Sequence, residues 1–115
     1  APIDSRNLKR LARRALAGMA RTGGYYANGS GDYAVAFSTA PHLRLKSGQS
    51  GLTIEIEVLR NEAMSALFQA AVEASEEAIL NSLFKATTIK GQKGRTAYAL
   101  PVEKLRTYLE NAKHE

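Results

Sequence analysis

Asn28-Gly29-Ser30-Gly31-Asp32-Tyr33-Ala34-Val35-Ala36-Phe37-Ser38-Thr39 is the stretch on which the reading of this chain turns. Its second half alternates. Tyr33, Val35, Phe37 and Thr39 would point one way from an extended strand, and Ala34, Ala36 and Ser38 the other. One face is therefore bulky, and the other carries only small side chains and invites close packing of a second element. In the first half Asn28, Ser30 and Asp32 are spaced by two. If the backbone is already extended there, an amide, a hydroxyl and a carboxylate share one side. Gly29 and Gly31 remove bulk around the serine and open the backbone to a ligand. The same five residues are also ordinary turn composition, and both readings stand at this point. A Ser–His–Asp triad through His42 would require that residue to fold back over the intervening strand, which disfavours it.

Outward from this stretch, residues 5 to 22 read as an amphipathic helix. Leu8, Leu11, Ala12, Ala15, Leu16, Met19 and Ala20 recur at the period of one buried stripe. Asp4 or Ser5 can cap its start, and Gly23-Gly24 can end it. Its basic residues are expected on the opposite, solvent-facing side. Residues 52 to 58 alternate as a half-buried strand, with Ile54, Ile56 and Val58 against Thr53, Glu55 and Glu57. A turn is expected at Ser47-Gly48-Gln49-Ser50-Gly51. Residues 62 to 86 form the longest helix, with Asn61 as its cap. Met64, Leu67, Phe68, Ala71, Val72, Ile79 and Leu83 make its stripe. A second row of Ala63, Ala66, Ala70, Ala74 and Ala78 predicts burial on more than one side. Glu73 and Glu77 fall on a wet face or meet a basic partner. A basic loop at residues 90 to 95, a short strand at 96 to 100 and a last helix after Pro101 complete the pattern. Val102, Leu105, Tyr108, Leu109 and Ala112 are its expected buried stripe.

The length of 115 residues fits a single domain over 1–115. The hydrophobic fraction of 44% suffices for a packed core, and the lack of cysteine excludes disulfides and thiolate metal sites. His42 and His114 make no zinc motif, so no metal is expected. No apolar run reaches the roughly 20 residues of a membrane span, and Ala1-Pro2-Ile3-Asp4 does not read as a signal peptide. The net charge of +5 is concentrated in residues 1 to 24, where Arg6, Lys9, Arg10, Arg13, Arg14 and Arg21 face one acid, Asp4. Phosphate binding on that face is one reading and a solvated face is the other. No aromatic residue interleaves with these charges, and Lys90, Lys93 and Arg95 lack a phosphate-loop pattern.

The runs Asn7 to Ala15, Ala20 to Gly23, Asn28 to Tyr33 and Ala36 to Thr39 together resemble the self-processing aminopeptidases. That family comprises the L-aminopeptidase D-amino-acid esterase/amidases and the β-peptidyl aminopeptidases. Asn61 to Ala74, Glu76 to Leu83, Ala86 to Thr88 and the Gly94-Arg95…Ala99-Leu100-Pro101 segment resemble it too, so the likeness covers nearly the whole chain. It implies an α/β fold, part of an α/β/β/α sandwich related to the N-terminal-nucleophile hydrolases. In that family a precursor cuts itself before a serine, which becomes the nucleophile at the head of a β chain. A free α-amine, with a pKa of about 7.7–8.0 against about 10.4 for lysine, can serve as its base near neutral pH.

Carried over by position, the resemblance makes Ser30 a second active-site serine and Asp32 the acid that orients it. Asn28, Gly29 and Gly31 belong to the same motif, and the oxyanion-stabilising groups come largely from the α chain. It implies no cofactor, a short peptide, amide or ester as substrate, and an acyl-enzyme intermediate. One departure is plain: the chain starts at a segment that in the family follows the nucleophilic serine and its strand. The nucleophile is therefore expected outside this chain, which should be inactive alone and should lack a central strand over the 5–22 helix. The expected partners are the α chain and the preceding β segment of one precursor, assembled as a multimer of αβ pairs. Neither nucleic acid nor membrane is expected, and the location is soluble, cytoplasmic or periplasmic. Two other readings compete: an ornithine acetyltransferase-like acyl transferase, with a threonine nucleophile, and a non-enzymatic basic module that binds nucleic acid.

Overall fold

The computed structural model describes residues 1–48 and 50–113, so Gln49 of the expected turn and His114 lie outside the described residues. Two compact units are present, Ala1–Glu76 and Glu77–Glu115.

In the first unit, helix α1 spans Ser5–Arg21. Asp4 caps it: its Oδ1 accepts the Asn7 N–H at 2.7 Å, satisfying a donor that the first turn leaves free. The helix ends where Gly23 enters the left-handed region at φ 95. Its apolar stripe turns toward the small face of the extended segment 33–39. Leu11, Ala12 and Ala15 surround one shallow hollow with Ala34, Ala36 and Ala71, and Leu8 and Ala12 surround another with Ala34 and Ala36.

A second face of α1 packs on helix α2, Met64–Lys85, and it is polar. Asn7 is buried. Arg10 and Arg14 lie over the Phe68 ring, with guanidinium carbons 4.8 and 4.6 Å from its centroid. Gly18 sits so close that a Cβ would be 2.5 Å from the Val72 carbonyl oxygen and 2.7 Å from Ser75 Cβ. Arg21 pairs with Glu76 at 2.9 Å. Residues 7, 10, 14, 18 and 21 follow the helical period, so this seam is as regular as the apolar one.

The seam corrects three expectations. Arg10 and Arg14 do not line a wholly solvent-facing side, because the face of an aromatic ring attracts a guanidinium. Asn61 does not cap α2. It opens a short 3₁₀ turn, Asn61–Ala63, with no side-chain cap, and its Oδ1 accepts from Arg10 and, at 3.3 Å, from Arg6. The alanine row Ala63, Ala66, Ala70, Ala74 and Ala78 is exposed, so α2 is covered on one side only. Met64, at 0% exposure, is its one buried residue. Glu73 and Glu77 are exposed, on the wet face.

Residues 33–39 and 52–58 form no regular strand. A strand needs a neighbour for its backbone groups, and no backbone hydrogen bond joins these two segments. The first segment, and Leu59 just after the second, instead touch residues 1–3. The Ser38 hydroxyl donates to the Ala1 carbonyl at 2.7 Å, and the Leu59 N–H donates to the Pro2 carbonyl at 2.7 Å. The alternation of 33–39 persists without a ladder: Ala34, Ala36 and Ser38 are partly covered, while Tyr33, Val35 and Phe37 are 93, 87 and 77% exposed. In 52–58 both faces are exposed, against the expected half-burial.

The second unit holds the end of α2, a two-stranded antiparallel hairpin and a last helix. Strands β1, Ile89–Lys90, and β2, Thr96–Ala97, pair as Ile89 with Ala97 and Lys90 with Thr96. The expected strand 96–100 stops at Ala97, and the Ala99 N–H turns to the Thr88 hydroxyl. The basic loop between the strands contains the 3₁₀ turn Gln92–Gly94. Helix α3, Val102–Asn111, starts after Pro101, whose fixed φ suits that position. Its expected stripe is not buried: Leu105, Tyr108, Leu109 and Ala112 are all exposed. Among the described residues, no helix is long and apolar enough to cross a membrane.

Candidate active site

From the end of α1 the chain reaches Asn28–Asp32 in a few residues, and each step is geometrically defined. Tyr26 follows the Gly23-Gly24 pair with φ 55, a left-handed conformation. For a residue this large such backbone costs on the order of 1–3 kcal/mol and persists only where neighbours hold it. The holding contact is visible: the Tyr26 hydroxyl donates to the Leu16 carbonyl on α1.

Ala27 to Ser30 then form a hydrogen-bonded turn, the Ser30 N–H reaching the Ala27 carbonyl at 2.9 Å. Gly29 takes φ 91 at its third position while Asn28 keeps a negative φ, the type II pattern that calls for glycine there. The turn corrects the idea that Asn28, Ser30 and Asp32 share one side of an extended strand. Asn28 occupies the corner, and its side chain bonds to neither of the others.

Ser30 and Asp32 do come together. The Ser30 hydroxyl donates to Asp32 Oδ2 at 2.6 Å, the length typical of a hydroxyl bonded to a carboxylate. This bond has two chemical consequences. It commits the serine proton to Asp32, so the remaining lone pairs of Oγ face outward as acceptors. It also sets a carboxylate behind that hydroxyl, which favours a cation or a developing positive charge in front of it. Such a pair can orient a protonated amine or pass a proton through the hydroxyl. Both residues are exposed, and an exposed pair adds little to stability.

Gly31 lies between them with no atom closer to a would-be Cβ than Tyr33 at 3.9 Å, so the approach to the pair is open. His42 falls in the 3₁₀ turn Pro41–Leu43 and bonds to neither Ser30 nor Asp32. Among the described residues, no cluster of three His, Cys, Asp or Glu side chains could hold a metal ion. The one element of the site that escapes the sequence is Tyr26, since a tyrosine carries no signal of a positive φ.

The family model for peptidase family S58 matches residues 1–97, the whole of this loop included. The chain belongs to peptidase family S58. Its likeness to individual S58-type proteins is high along its length. A β-peptidyl aminopeptidase, BapA, of Sphingosinicella microcystinivorans is 46% identical over 110 residues, covering 96% of this chain and 27% of that protein. Among solved structures, the PH0078 protein of Pyrococcus horikoshii OT3 matches with TM-score 0.83 and 49% identity, over 97% of this chain and 31% of that one. The L-aminopeptidase D-Ala-esterase/amidase of Ochrobactrum anthropi, described as a prototype for the serine aminopeptidases and a variant of the Ntn-hydrolase fold, matches with TM-score 0.80 and 34% identity. It too is covered to 31% by 97% of this chain. The S58 chain is thus of the α/β class and matches part of the Ntn-hydrolase fold variant described for the Ochrobactrum protein. It spans about a quarter of the length of the curated relatives it matches.

Proposed function

We propose that this chain supplies one side of the active site of a serine aminopeptidase, and that Ser30 and Asp32 support a nucleophile carried elsewhere in the same protein. The observation that carries this reading is the 2.6 Å bond from the Ser30 hydroxyl to Asp32, in a loop that lies inside the S58 match. In the proposed reaction a serine at the head of a self-processed chain attacks the carbonyl carbon of the substrate's N-terminal residue. Its own α-amine takes the proton. Ser30 accepts a hydrogen bond from that amine when it is protonated, and Asp32 balances the charge. The α-ammonium returns that proton to the departing amine or alcohol as its bond to the carbonyl carbon breaks, and water then hydrolyses the acyl-enzyme with the α-amine as base. Substrates are short peptides, amides or esters.

The placement of residues 1–3 supports this assembly. They touch the segment 33–39 through Ser38 and reach Leu59, just after the segment 52–58, and these two segments do not pair with each other. In this reading a strand between them would satisfy backbone groups on both sides. The exposed face of Tyr33, Val35 and Phe37 is the kind of apolar patch that marks a surface to be covered. The remainder of the precursor, including its α chain, is the partner this reading supplies.

The test is kinetic. Full-length precursor carrying Asp32→Ala should hydrolyse amino-acid p-nitroanilides about 10²–10⁴-fold more slowly than wild type, the range for losing a group that positions a proton transfer. N-terminal sequencing of every polypeptide in the purified protein should find one that begins with serine. Wild-type turnover by Asp32→Ala would remove Asp32 from the site.

A further inference from the structure

Tyr26 is a large residue held in backbone that large residues avoid, at φ 55, four positions before Ser30. Three linked contacts run from it to the candidate site. Its hydroxyl donates to the Leu16 carbonyl on α1. The next residue, Ala27, accepts the Ser30 N–H at 2.9 Å and closes the turn. Ser30 then donates to Asp32. The direction in which the turn leaves α1 is therefore set at Tyr26. A tyrosine free of Leu16 would relax toward negative φ, which swings the following peptide and everything fixed to it.

We propose that Tyr26 is a positioning residue: its bond to Leu16 holds the left-handed backbone that aims Ser30 and Asp32 at the reacting amine. This rests on the aminopeptidase reading of those two residues. Tyr26 hydrogen-bonds to neither of them, so it acts through the turn. Its side chain is about half exposed, and the loss of one such surface bond has little effect on the folded state. Strain of this kind collects where a geometry must be kept rather than where a fold must be stabilised.

Tyr26→Phe removes the hydroxyl and nothing else. In the full-length precursor it should lower kcat for an amino-acid p-nitroanilide by about tenfold, since small misplacements of a reacting group cost one to two orders of magnitude. KM should stay within about twofold, because substrate contacts are untouched. Tm should stay within about 3 °C of wild type. Tyr25→Phe, next to it and without a hydrogen bond, should leave all three unchanged. A folded Tyr26→Phe enzyme with wild-type kcat, beside an impaired Ser30→Ala, overturns the proposal. So does a fall in kcat that merely tracks a large fall in Tm, which would make Tyr26 a structural residue. Wild-type turnover by Ser30→Ala signals the separate failure of the aminopeptidase reading. If Tyr26→Phe does not accumulate as folded protein, Tyr26→Asn and Tyr26→Ala decide: Asn tolerates positive φ without the Leu16 bond and should keep kcat within about threefold, Ala does not and should lose about tenfold, and equal kcat in the two overturns the proposal.

Discussion

Helix α1 and the extended segment 33–39 meet across small side chains, yet they are secured in different ways. The helix satisfies its own backbone, is capped by Asp4, and presents a second seam to α2 through Asn7, Arg10, Arg14, Gly18 and Arg21. The extended segment has its small face against α1, a single side-chain bond to Ala1, and its large face open. One region is finished by contacts close at hand. The other leaves its backbone unpaired in any sheet and Tyr33, Val35 and Phe37 open. The difference teaches that the Ser30–Asp32 loop adjoins the region with an open face, whereas the helical seam is already filled.

Substitutions can break or sharpen this contrast. The largest effect is expected at Met64, the buried residue of α2. Met64→Ala should cost about 2–5 kcal/mol in denaturant unfolding of the full-length protein. Phe37→Ser separates the two regions most clearly. If the open face is covered in the whole protein, the change removes a buried aromatic and should cost about 1.5–3 kcal/mol. A change under about 0.5 kcal/mol, the usual size at an open surface, would mean that the face stays bare. Gly18→Ala is expected to be milder. Its Cβ would press on the Val72 carbonyl and Ser75, forcing α1 off α2 at about 1–3 kcal/mol.

The same contrast explains what was legible in the sequence. Helices are written locally, so the period of α1, its Asp4 cap and its glycine ending could all be read. The seam toward α2 could not, because it is built from arginines, an asparagine and a glycine rather than from an apolar stripe. The alternation of 33–39 was readable, and it correctly told the small face from the bulky one. Whether it becomes a strand depends on residues distant in sequence or outside the chain. The stripes of α2 and α3 announced more burial than these residues supply, as Ala70, Leu105 and Leu109 illustrate. At the site, spacing placed Ser30 beside Asp32, whereas the turn at Gly29 removed Asn28 from their company. Tyr26 escaped notice because its hydroxyl bonds to a carbonyl ten residues away, which local sequence does not signal.

The most direct measurement is the turnover of full-length precursor carrying Ser30→Ala, with its processing state checked by N-terminal sequencing. The account predicts an amino-acid p-nitroanilide kcat/KM lower than wild type by at least about 100-fold, with an unchanged Tm. Wild-type kcat/KM in a folded, processed Ser30→Ala enzyme would contradict it.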